Sequence, residues 1–226
     1  MSGRVAFLFD LDGTLVDSVY NHVRAWHVAL RESGLELSVW RIHRKIGMSG
    51  GLFTAQLERE LGRAIDEATL ERLRDRHAEL FRDLSTDVAP LPGAIALLDE
   101  LTKQDISWAI ATSGRMRTAA ANLQSLGVDP DRATVVTRDE VRYAKPDPDL
   151  FVEAARRLGT EAKGSYVIGD SIWDMYAALR CGALGIGLLS GGYGRDELER
   201  AGAMRVFDDP ADMLLHLDEL APRTRP

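Results

Sequence analysis

The sequence predicts an α/β fold in which a parallel β-sheet is covered by helices on both faces. Short apolar runs, each followed by a helix-length segment, occupy residues 106–112, 133–137, 165–170, 183–189 and 204–209. The runs are apolar almost throughout, as expected of strands that are buried on both faces. Alternation of strands and helices favours parallel pairing, because each helix returns the chain to the edge where the next strand begins.

Residues 5–9, VAFLF, form the first apolar run, and we assign them to the same sheet. The stretch that follows breaks the alternation, because its apolar residues recur with helical spacing. Four helices are predicted in it, at residues 18–34, 38–47, 52–62 and 66–84. We therefore predict an α/β core formed by residues 1–16 and 89–226, into which residues 17–88 are inserted as a helical domain.

Helical periodicity also predicts the segments between the later strands. Four helices are expected there, at residues 92–104, 115–127, 148–159 and 171–182. Residues 88–93, VAPLPG, are interpreted as the linker that returns the chain from the insertion, and residues 190–194, SGGYG, as a glycine-rich connection. Within the insertion, Trp26 and Trp40 are expected to pack into the interior of the helical domain.

The composition is that of an ordinary globular protein and argues against several classes. The chain has 226 residues, of which 45% are hydrophobic and 28% charged, and its formal net charge is -7. An acidic protein is a poor general binder of nucleic acid. The sequence has neither an apolar run of membrane-spanning length nor a signal-peptide pattern, and the single Cys181 fits a reducing compartment. We expect a cytoplasmic monomer or weak homodimer without nucleic-acid or membrane partners.

Two carboxylates end the first predicted strand, and the carboxyl ends of strands line the ligand site in open parallel sheets. Asp10 and Asp12 project to the same side of an extended chain, and Gly13 allows a sharp turn after them. Such close acids repel each other, so that one could act ionised, as nucleophile or metal ligand, while the other carries a proton. A capped polar turn would have the same D-x-D pattern, so this pair alone does not decide the function.

Further polar groups follow two later strands. Thr112, Ser113 and Gly114 lead into a predicted helix, where hydroxyls and backbone N–H groups could bind an anion, although a simple helix cap has the same sequence. Asp170 directly follows an apolar strand. Asp174 has capping-box spacing from the preceding serine and, four residues after Asp170, could also face the same pocket.

A lysine lies ahead of the helix predicted at 148–159. Pro146 favours an extended conformation at Lys145. Asp147 is expected to cap the helix, with Pro148 at its first position, and the helix start would then fix the backbone of the lysine. A single lysine is usually a solvated surface residue, so its role depends on the other motifs.

Together these segments resemble the four motifs of the haloacid dehalogenase superfamily. The resemblance rests on D-L-D-G-T-L near the N-terminus, a strand ending in Thr112, Lys145-Pro146, and the segment from Gly169 to Asp174. The resemblance covers essentially the whole chain. Within the superfamily, the sequence is similar to phosphoglycolate phosphatases and β-phosphoglucomutases. The resemblance implies a Rossmann-like core, and it identifies the helical insertion as the cap of such enzymes.

The resemblance also implies roles for the acids. In such enzymes the residue matching Asp10 attacks phosphorus and becomes an aspartyl-phosphate, and the residue matching Asp12 protonates the leaving oxygen and then activates water. It implies that Mg²⁺ is bound by Asp10, by the backbone carbonyl of Asp12 and by Asp170, with Asp174 in support. An oxygen-rich acidic cluster independently suits this cofactor.

The remaining core motifs receive implied roles in binding the phosphate. Thr112 and the N–H groups of Ser113 and Gly114 would bind the phosphoryl oxygens, and Lys145 would balance the charge of phosphate and nucleophile. This agrees with elementary electrostatics, because a carboxylate approaches an anionic phosphate only where cations neutralise the field.

The resemblance implies that an acid two residues after the nucleophile, here Asp12, is used by members that transfer phosphoryl groups and not by members that remove halide. We therefore expect a Mg²⁺-dependent phosphatase acting on a small phosphorylated metabolite, a sugar phosphate or a phosphoglycolate-like acid. The alternative is a phosphomutase on the same machinery, since residues 21–27, NHVRAWH, and the loop at 44–51 resemble β-phosphoglucomutases. Gly50 occupies the place of an expected phosphate-binding arginine, which disfavours the mutase, although Arg44 or Lys45 could serve instead.

The insertion is expected to form a lid that closes over the strand ends. Its candidate contacts with the site are His22, Lys45 and Ser49, with packing inside the cap as the alternative role of the histidine. A more distant alternative for the whole chain is a non-enzymatic phosphoacceptor module like a response-regulator receiver. Receivers lack the D-x-D motif and the inserted lid.

Overall fold

A six-stranded parallel sheet with helices on both faces forms the core of the computed structural model, which describes residues 5–220. This confirms the predicted α/β class. The strand order is β3-β2-β1-β4-β5-β6, and each adjacent pair is parallel. The strands are β1 (Phe7–Phe9), β2 (Trp108–Ala111), β3 (Val135–Val136), β4 (Tyr166–Gly169), β5 (Leu184–Leu188) and β6 (Ala203–Phe207).

The cap inserted after β1 is built from four helices. They are α1 (Val19–Glu32), α2 (Val39–His43), α3 (Gly50–Leu61) and α4 (Glu67–Leu84). These helices have their own apolar cluster, in which Trp26 packs against buried residues such as Phe53 and Leu57. The expectation that Trp40 also packs inside the cap is wrong: its side chain is 63% exposed, and the Arg41 guanidinium lies over its ring.

Six helices cover the sheet of the core within the part of the chain that the structure describes. They are α5 (Ala94–Lys103), α6 (Met116–Ser125), α7 (Asp149–Arg157), α8 (Ile172–Cys181), α9 (Arg195–Arg200) and α10 (Pro210–Leu215). Alternate residues of β1 point to opposite faces, so that Phe7 and Phe9 pack with α5, α6 and α10, whereas Leu8 packs with α7 and α8. The central strand is therefore buried on both faces, and only its carboxyl end is free to carry polar groups.

The two crossings between core and cap lie side by side. Asp17 donates its backbone N–H to the carbonyl of Ala89, and Leu91 donates to that of Leu15. These bonds hold the cap above the carboxyl end of β1. No helix of residues 5–220 is both long enough and apolar enough to traverse a bilayer.

The boundaries of the elements differ from the predicted ones in detail. The run at 133–137 forms only the two-residue strand Val135–Val136. The prediction that Asp147 caps the following helix is wrong, because α7 begins two residues later at Asp149. The Asp147 carboxylate instead accepts a hydrogen bond from Arg180, 2.7 Å away.

Candidate active site

Lys145 lies between two carboxylates at the carboxyl edge of the sheet. Its ammonium donates to Asp10 Oδ1 and lies 2.8 Å from Asp174 Oδ1. The lysine is completely buried, and its Nζ is 5.0 Å from the centre of the Phe151 ring. Because Asp10 follows β1 and Asp174 lies on α8, this lysine joins three separate segments of the core.

Asp170 completes a cluster of three acids. Thr14 donates its hydroxyl to Asp170 Oδ1 over 3.0 Å. A Cβ on Gly191 would lie 1.7 Å from Asp170 Oδ2, so only glycine allows the loop after β5 to approach this carboxylate. Asp10, Asp170 and Asp174 each offer a carboxylate oxygen, and these oxygens lie within 4.8 Å of one another. The three acids could therefore share one cation.

The charge of this cluster is not balanced by the protein groups just described. In their ionised forms the three acids would carry two more negative charges than Lys145 neutralises. Burial raises the pKa of Asp10 to about 7, although Lys145 opposes the shift. Burial, with the charges of Asp174 and Asp10, raises the pKa of Asp170 well above its ordinary value. For Lys145, burial lowers the pKa, but the adjacent acids outweigh it and the net shift is upward. This donor set and its excess charge fit a bound divalent cation.

Both oxygens of Asp174 are already engaged, which suits a supporting position. Oδ2 accepts from the N–H of Ser171 over 3.1 Å and from its hydroxyl over 2.6 Å, so the capping box at the start of α8 is formed. Oδ1 faces Lys145. The same carboxylate thus caps the helix and orients the lysine.

Asp12 lies two residues after Asp10 but in a different environment. Its carboxylate accepts hydrogen bonds from Ser18 and from Asn122, and His22 lies beside it. Burial raises the pKa of Asp12, but the charge and hydrogen bond of His22, together with Ser18, outweigh it and lower the pKa below its ordinary value. Two neighbouring aspartates therefore have opposite pKa shifts, a feature of acid–base sites.

The segment Thr112–Ser113–Gly114 faces the acids from the end of β2; because the motif resemblance predicts that it binds phosphate, it is called the phosphate loop below. The Gly114 N–H donates to Thr112 Oγ1 over 2.9 Å, so it takes part in the turn itself. Ser113 donates its hydroxyl to the carbonyl of Gly47 in the cap, 3.0 Å away. Helix α6 begins only at Met116, so the loop lies ahead of the helix and beneath the cap.

A cavity of about 350 Å³ separates the phosphate loop from the cap. The cap contributes an apolar wall that includes Trp26, Met48 and Phe53. Basic side chains complete the lining: Lys45 and Arg74 from the cap, and Arg115, Arg117 and Arg138 from the core. Asp10 and Asp12 lie on the core side of this cavity, whose walls suit a small anionic ligand with an apolar surface.

The three candidate cap contacts have different positions. His22 lines the cavity and reaches Asp12. Lys45 also lines it, but its ammonium lies 2.5 Å from the Glu60 carboxylate. Ser49 is not among the lining residues; its hydroxyl accepts from Leu52 N at the start of α3, and its backbone N–H donates to the carbonyl of Lys145.

The cap is closed onto the loop that follows β5. The Arg44 guanidinium pairs with Glu197 and lies 4.1 Å from the centre of the Tyr193 ring. The Arg44 carbonyl accepts from the Tyr193 hydroxyl over 3.0 Å and from Trp173 Nε1 over 3.3 Å. His43 Nε2 is 2.8 Å from the carbonyl of Gly191, the glycine that contacts Asp170. The segment SGGYG therefore contacts the cap, through Tyr193 and Gly191, in addition to connecting β5 with α9.

Several residues at the site were not identified from the sequence. Thr14 holds Asp170, Asn122 holds Asp12, and His77 Nε2 lies 3.1 Å from His22 Nδ1. His77 is buried, and desolvation lowers its pKa well below the ordinary value. Asn122 had a detectable signal, because it occupies a helix position whose neighbours on the same face are apolar.

Comparisons with known proteins identify the family of this chain. A family model described as haloacid dehalogenase-like hydrolase matches residues 5–182. A phosphoglycolate phosphatase of Rhodospirillum rubrum is 34% identical over 92% of this chain and 88% of its own length. Hexitol phosphatase A of Escherichia coli is 36% identical over 78% of this chain and 79% of its own.

Solved structures give the same fold. A hydrolase from Pseudomonas syringae superposes with a TM-score of 0.95 at 53% identity, over 97% of this chain and 100% of that one. A β-phosphoglucomutase-like protein from Bacteroides vulgatus, 24% identical, has a TM-score of 0.84 over 96% of this chain and 89% of its own, and shows the fold alone. The sequence motifs, the fold and the family match agree, and the chain belongs to the haloacid dehalogenase-like hydrolases.

Proposed function

We propose that this chain is a Mg²⁺-dependent phosphatase that hydrolyses a small phosphorylated metabolite through an aspartyl-phosphate on Asp10. The observation that carries the proposal is the placement of Asp10, which lines the cavity beside the phosphate loop while Lys145 holds one of its oxygens. Relatives named as phosphatases support the same class of reaction.

The metal would be held by Asp10 and Asp170, with the backbone carbonyl of Asp12 as a further ligand and Asp174 in support. The residues fit such an ion because their carboxylate oxygens lie within reach of one another, and a cation between them would offset the burial that disfavours the ionised forms of Asp10 and Asp170. When bound, Mg²⁺ would supply positive charge that lets an anionic phosphate approach an anionic nucleophile.

The first step forms a bond between an Asp10 carboxylate oxygen and phosphorus and breaks the bond between phosphorus and the leaving oxygen. Asp12 donates its proton to that oxygen, which departs as an alcohol. Thr112 and the N–H groups of Ser113 and Gly114 hold the phosphoryl oxygens, and Lys145 keeps the nucleophile oriented.

The second step hydrolyses the intermediate. Asp12, now ionised, accepts a proton from water as the water oxygen bonds to phosphorus and the bond to Asp10 breaks. Inorganic phosphate is released, and the proton returns Asp12 to its starting state. The closed cap limits access of bulk water during both steps.

The substrate is proposed to be a sugar phosphate or a phosphoglycolate-like acid. The cavity combines the apolar wall of Trp26, Met48 and Phe53 with basic groups, so it offers contacts to a carbon skeleton and to anionic substituents. Relatives named phosphoglycolate phosphatase and hexitol phosphatase A act within this range.

The contacts of the cap loop favour the phosphatase over the phosphomutase. Arg44 is engaged with Glu197 and Tyr193 and does not line the cavity, and Lys45 is paired with Glu60. Gly50 lines the cavity without a charge. The cap loop at residues 44–51 therefore offers a second phosphate group no unpaired cation.

A panel of phosphorylated metabolites tests the proposal. Release of inorganic phosphate with Mg²⁺, its loss with EDTA and its loss in Asp10→Asn would support a phosphatase that uses Asp10. Isomerised sugar phosphate would indicate the mutase. A single stoichiometric phosphorylation without turnover would indicate the receiver-like module, and full activity of Asp10→Asn would refute the nucleophile.

A further inference from the structure

Three donors converge on one oxygen of Asp12. Ser18 Oγ donates to Asp12 Oδ1 over 2.6 Å, and Asn122 Nδ2 donates to it over 2.8 Å. His22 Nε2 lies 3.3 Å from the same oxygen. The other oxygen, Oδ2, faces the phosphate loop, since it lies 3.9 Å from the position that a Cβ on Gly114 would occupy. Oδ1 is therefore the anchored oxygen, and Oδ2 is the one turned toward the reacting groups.

The donors belong to different parts of the molecule. Ser18 directly precedes α1, and His22 lies on it, so both are part of the cap and its junction. Asn122 lies on α6, which packs against the sheet. A movement of the cap would displace Ser18 and His22 but leave Asn122 in place. Asn122 is thus the donor to Asp12 Oδ1 that the core itself supplies.

Packing alone does not explain an asparagine at this position. Asn122 is 1% exposed, and Ala119 and Leu123 on the same face of α6 belong to the apolar core cluster. Its Oδ1 is buried without a hydrogen-bond partner within residues 5–220. A buried unpaired carbonyl is unfavourable, and leucine would avoid that cost. The remaining polar contact of the side chain is its donation to Asp12.

We infer that Asn122 is a positioning residue for the acid–base group. It anchors Oδ1 of Asp12 from the core and keeps Oδ2 directed at the phosphate loop whether the cap is open or closed. This inference rests on the proposed function, in which Oδ2 gives a proton to the leaving oxygen and later takes one from water.

The test separates the two chemical steps with p-nitrophenyl phosphate and Mg²⁺. Nitrophenolate is a stable anion that leaves without a proton, so phosphorylation of Asp10 does not need a correctly oriented Asp12, whereas hydrolysis of the intermediate does. Stopped-flow absorbance measures nitrophenolate release in the first turnover and afterwards. The variants are Asn122→Leu, which keeps the number and branching of side-chain heavy atoms, and Asn122→Ala, which is smaller and is expected to fold if leucine does not fit.

Both variants are expected to show a burst of about one nitrophenolate per enzyme at nearly the wild-type rate, followed by a steady state slowed at least about tenfold, part of the 10²–10⁴ typical of general acid–base catalysis. Leu123→Ala is the matched control, since it weakens the same helix beside Asn122 without removing a donor to Asp12. It is expected to lower the midpoint of thermal unfolding while leaving the ratio of the two rates unchanged.

Two outcomes overturn the inference: wild-type steady-state rates in both Asn122 variants, or an equal decrease of burst and steady-state rates in them. The wild type and Asp10→Asn, measured in the same experiment, distinguish this failure from failure of the proposed function. If Asp10→Asn turns over normally, the proposed function fails. If Asp10→Asn is inactive and the Asn122 variants behave as wild type, only the role of Asn122 is refuted.

Discussion

The raised pKa of Asp10 predicts how the metal-free protein responds to pH. Its value of about 7 lies above the ordinary 3.8 of an unfolded aspartate, so the folded state holds a proton that the unfolded chain has released. The folded state is therefore favoured at low pH, and this contribution is lost as the pH rises through about 7. The free energy of unfolding changes by about 1.4 kcal/mol for each pH unit in this range. The two units between pH 5 and the pKa of the folded state therefore correspond to roughly 3 kcal/mol.

Asp10→Asn removes the titration of Asp10 at nearly the same side-chain shape, and with it the charge that helps to raise the pKa of Asp170. We expect the free energy of unfolding of the wild type, relative to the variant, to fall by about 3 kcal/mol between pH 5 and pH 8 in EDTA. Urea unfolding at four pH values, with equal slopes against urea for the two proteins, measures this difference. Mg²⁺ is expected to restore the wild type at pH 8 more than at pH 5, since it binds the ionised carboxylate.

The opposite pH dependence would refute the reasoning. If the wild type gained stability relative to Asp10→Asn as the pH rose, the pairing of Asp10 with Lys145 would outweigh burial, and the pKa of the folded state would lie below 3.8. A difference that did not change with pH would mean that the pKa of Asp10 is the same in the folded and unfolded states, so that Lys145 cancels the effect of burial.

Three further substitutions test the surroundings of Asp10. Lys145→Met leaves the acids without their buried cation and is expected to lower kcat at least about a hundredfold and, in EDTA at pH 8, stability by about 3–5 kcal/mol, measured by phosphate release and urea unfolding. Gly191→Ala forces Asp170 to move and is expected to raise the Mg²⁺ concentration at half-maximal activity about tenfold. Arg44→Ala removes the pair with Glu197 and is expected to raise KM roughly fivefold, corresponding to about 1 kcal/mol of cap closure.

Each of these variants has a matched control elsewhere in the chain. Lys163→Met removes an exposed lysine. Gly194→Ala lies in the same loop as Gly191, but its Cβ would come no closer than 3.5 Å to another heavy atom. Arg200→Ala removes an exposed arginine that pairs with Asp196. If a control substitution changed kcat, stability, the Mg²⁺ requirement or KM as much as its test variant does, the effect of the test variant could not be assigned to the contact that it removes.

The core site could be predicted from the sequence because of the topology of a parallel sheet. Asp10, Thr112 and Asp170 each follow a strand directly, and the carboxyl ends of parallel strands meet at one edge. The motif resemblance added Lys145 and Asp174, whose roles depend on which other groups they face. The family match confirms the resemblance, whereas the roles of these residues stay predictions until kinetics test them.

Other features depended on packing that no local pattern records. The apolar residues around Asn122 indicate the buried face of α6, but no local pattern shows that its partner there is Asp12. Trp40 has a large aromatic side chain of the kind usually found in a core, but it lies on the outer side of the cap, with its ring against Arg41. Lys45 lines the cavity, yet its ammonium is directed to Glu60 on α3. For Asn122 and Lys45 the decisive partners, Asp12 and Glu60, are distant in sequence, and for Trp40 it is the outward direction of its side chain that no local pattern records.

The opposite shifts of Asp10 and Asp12 make ligand binding the event that prepares the reaction. Without ligands, burial raises the pKa of Asp10 to about 7, whereas hydrogen bonds and His22 keep Asp12 ionised. The proposed first step requires the reverse, an ionised Asp10 and a protonated Asp12. A divalent cation beside Asp10 would favour its ionised form, and a phosphate dianion beside Asp12 Oδ2 would favour the protonated form of that acid. We therefore expect the pKa of Asp12 to rise when a phosphate analogue binds in the presence of Mg²⁺, measured by carboxyl-carbon NMR. An unchanged or lowered pKa of Asp12 in that complex would contradict its assignment as the proton donor.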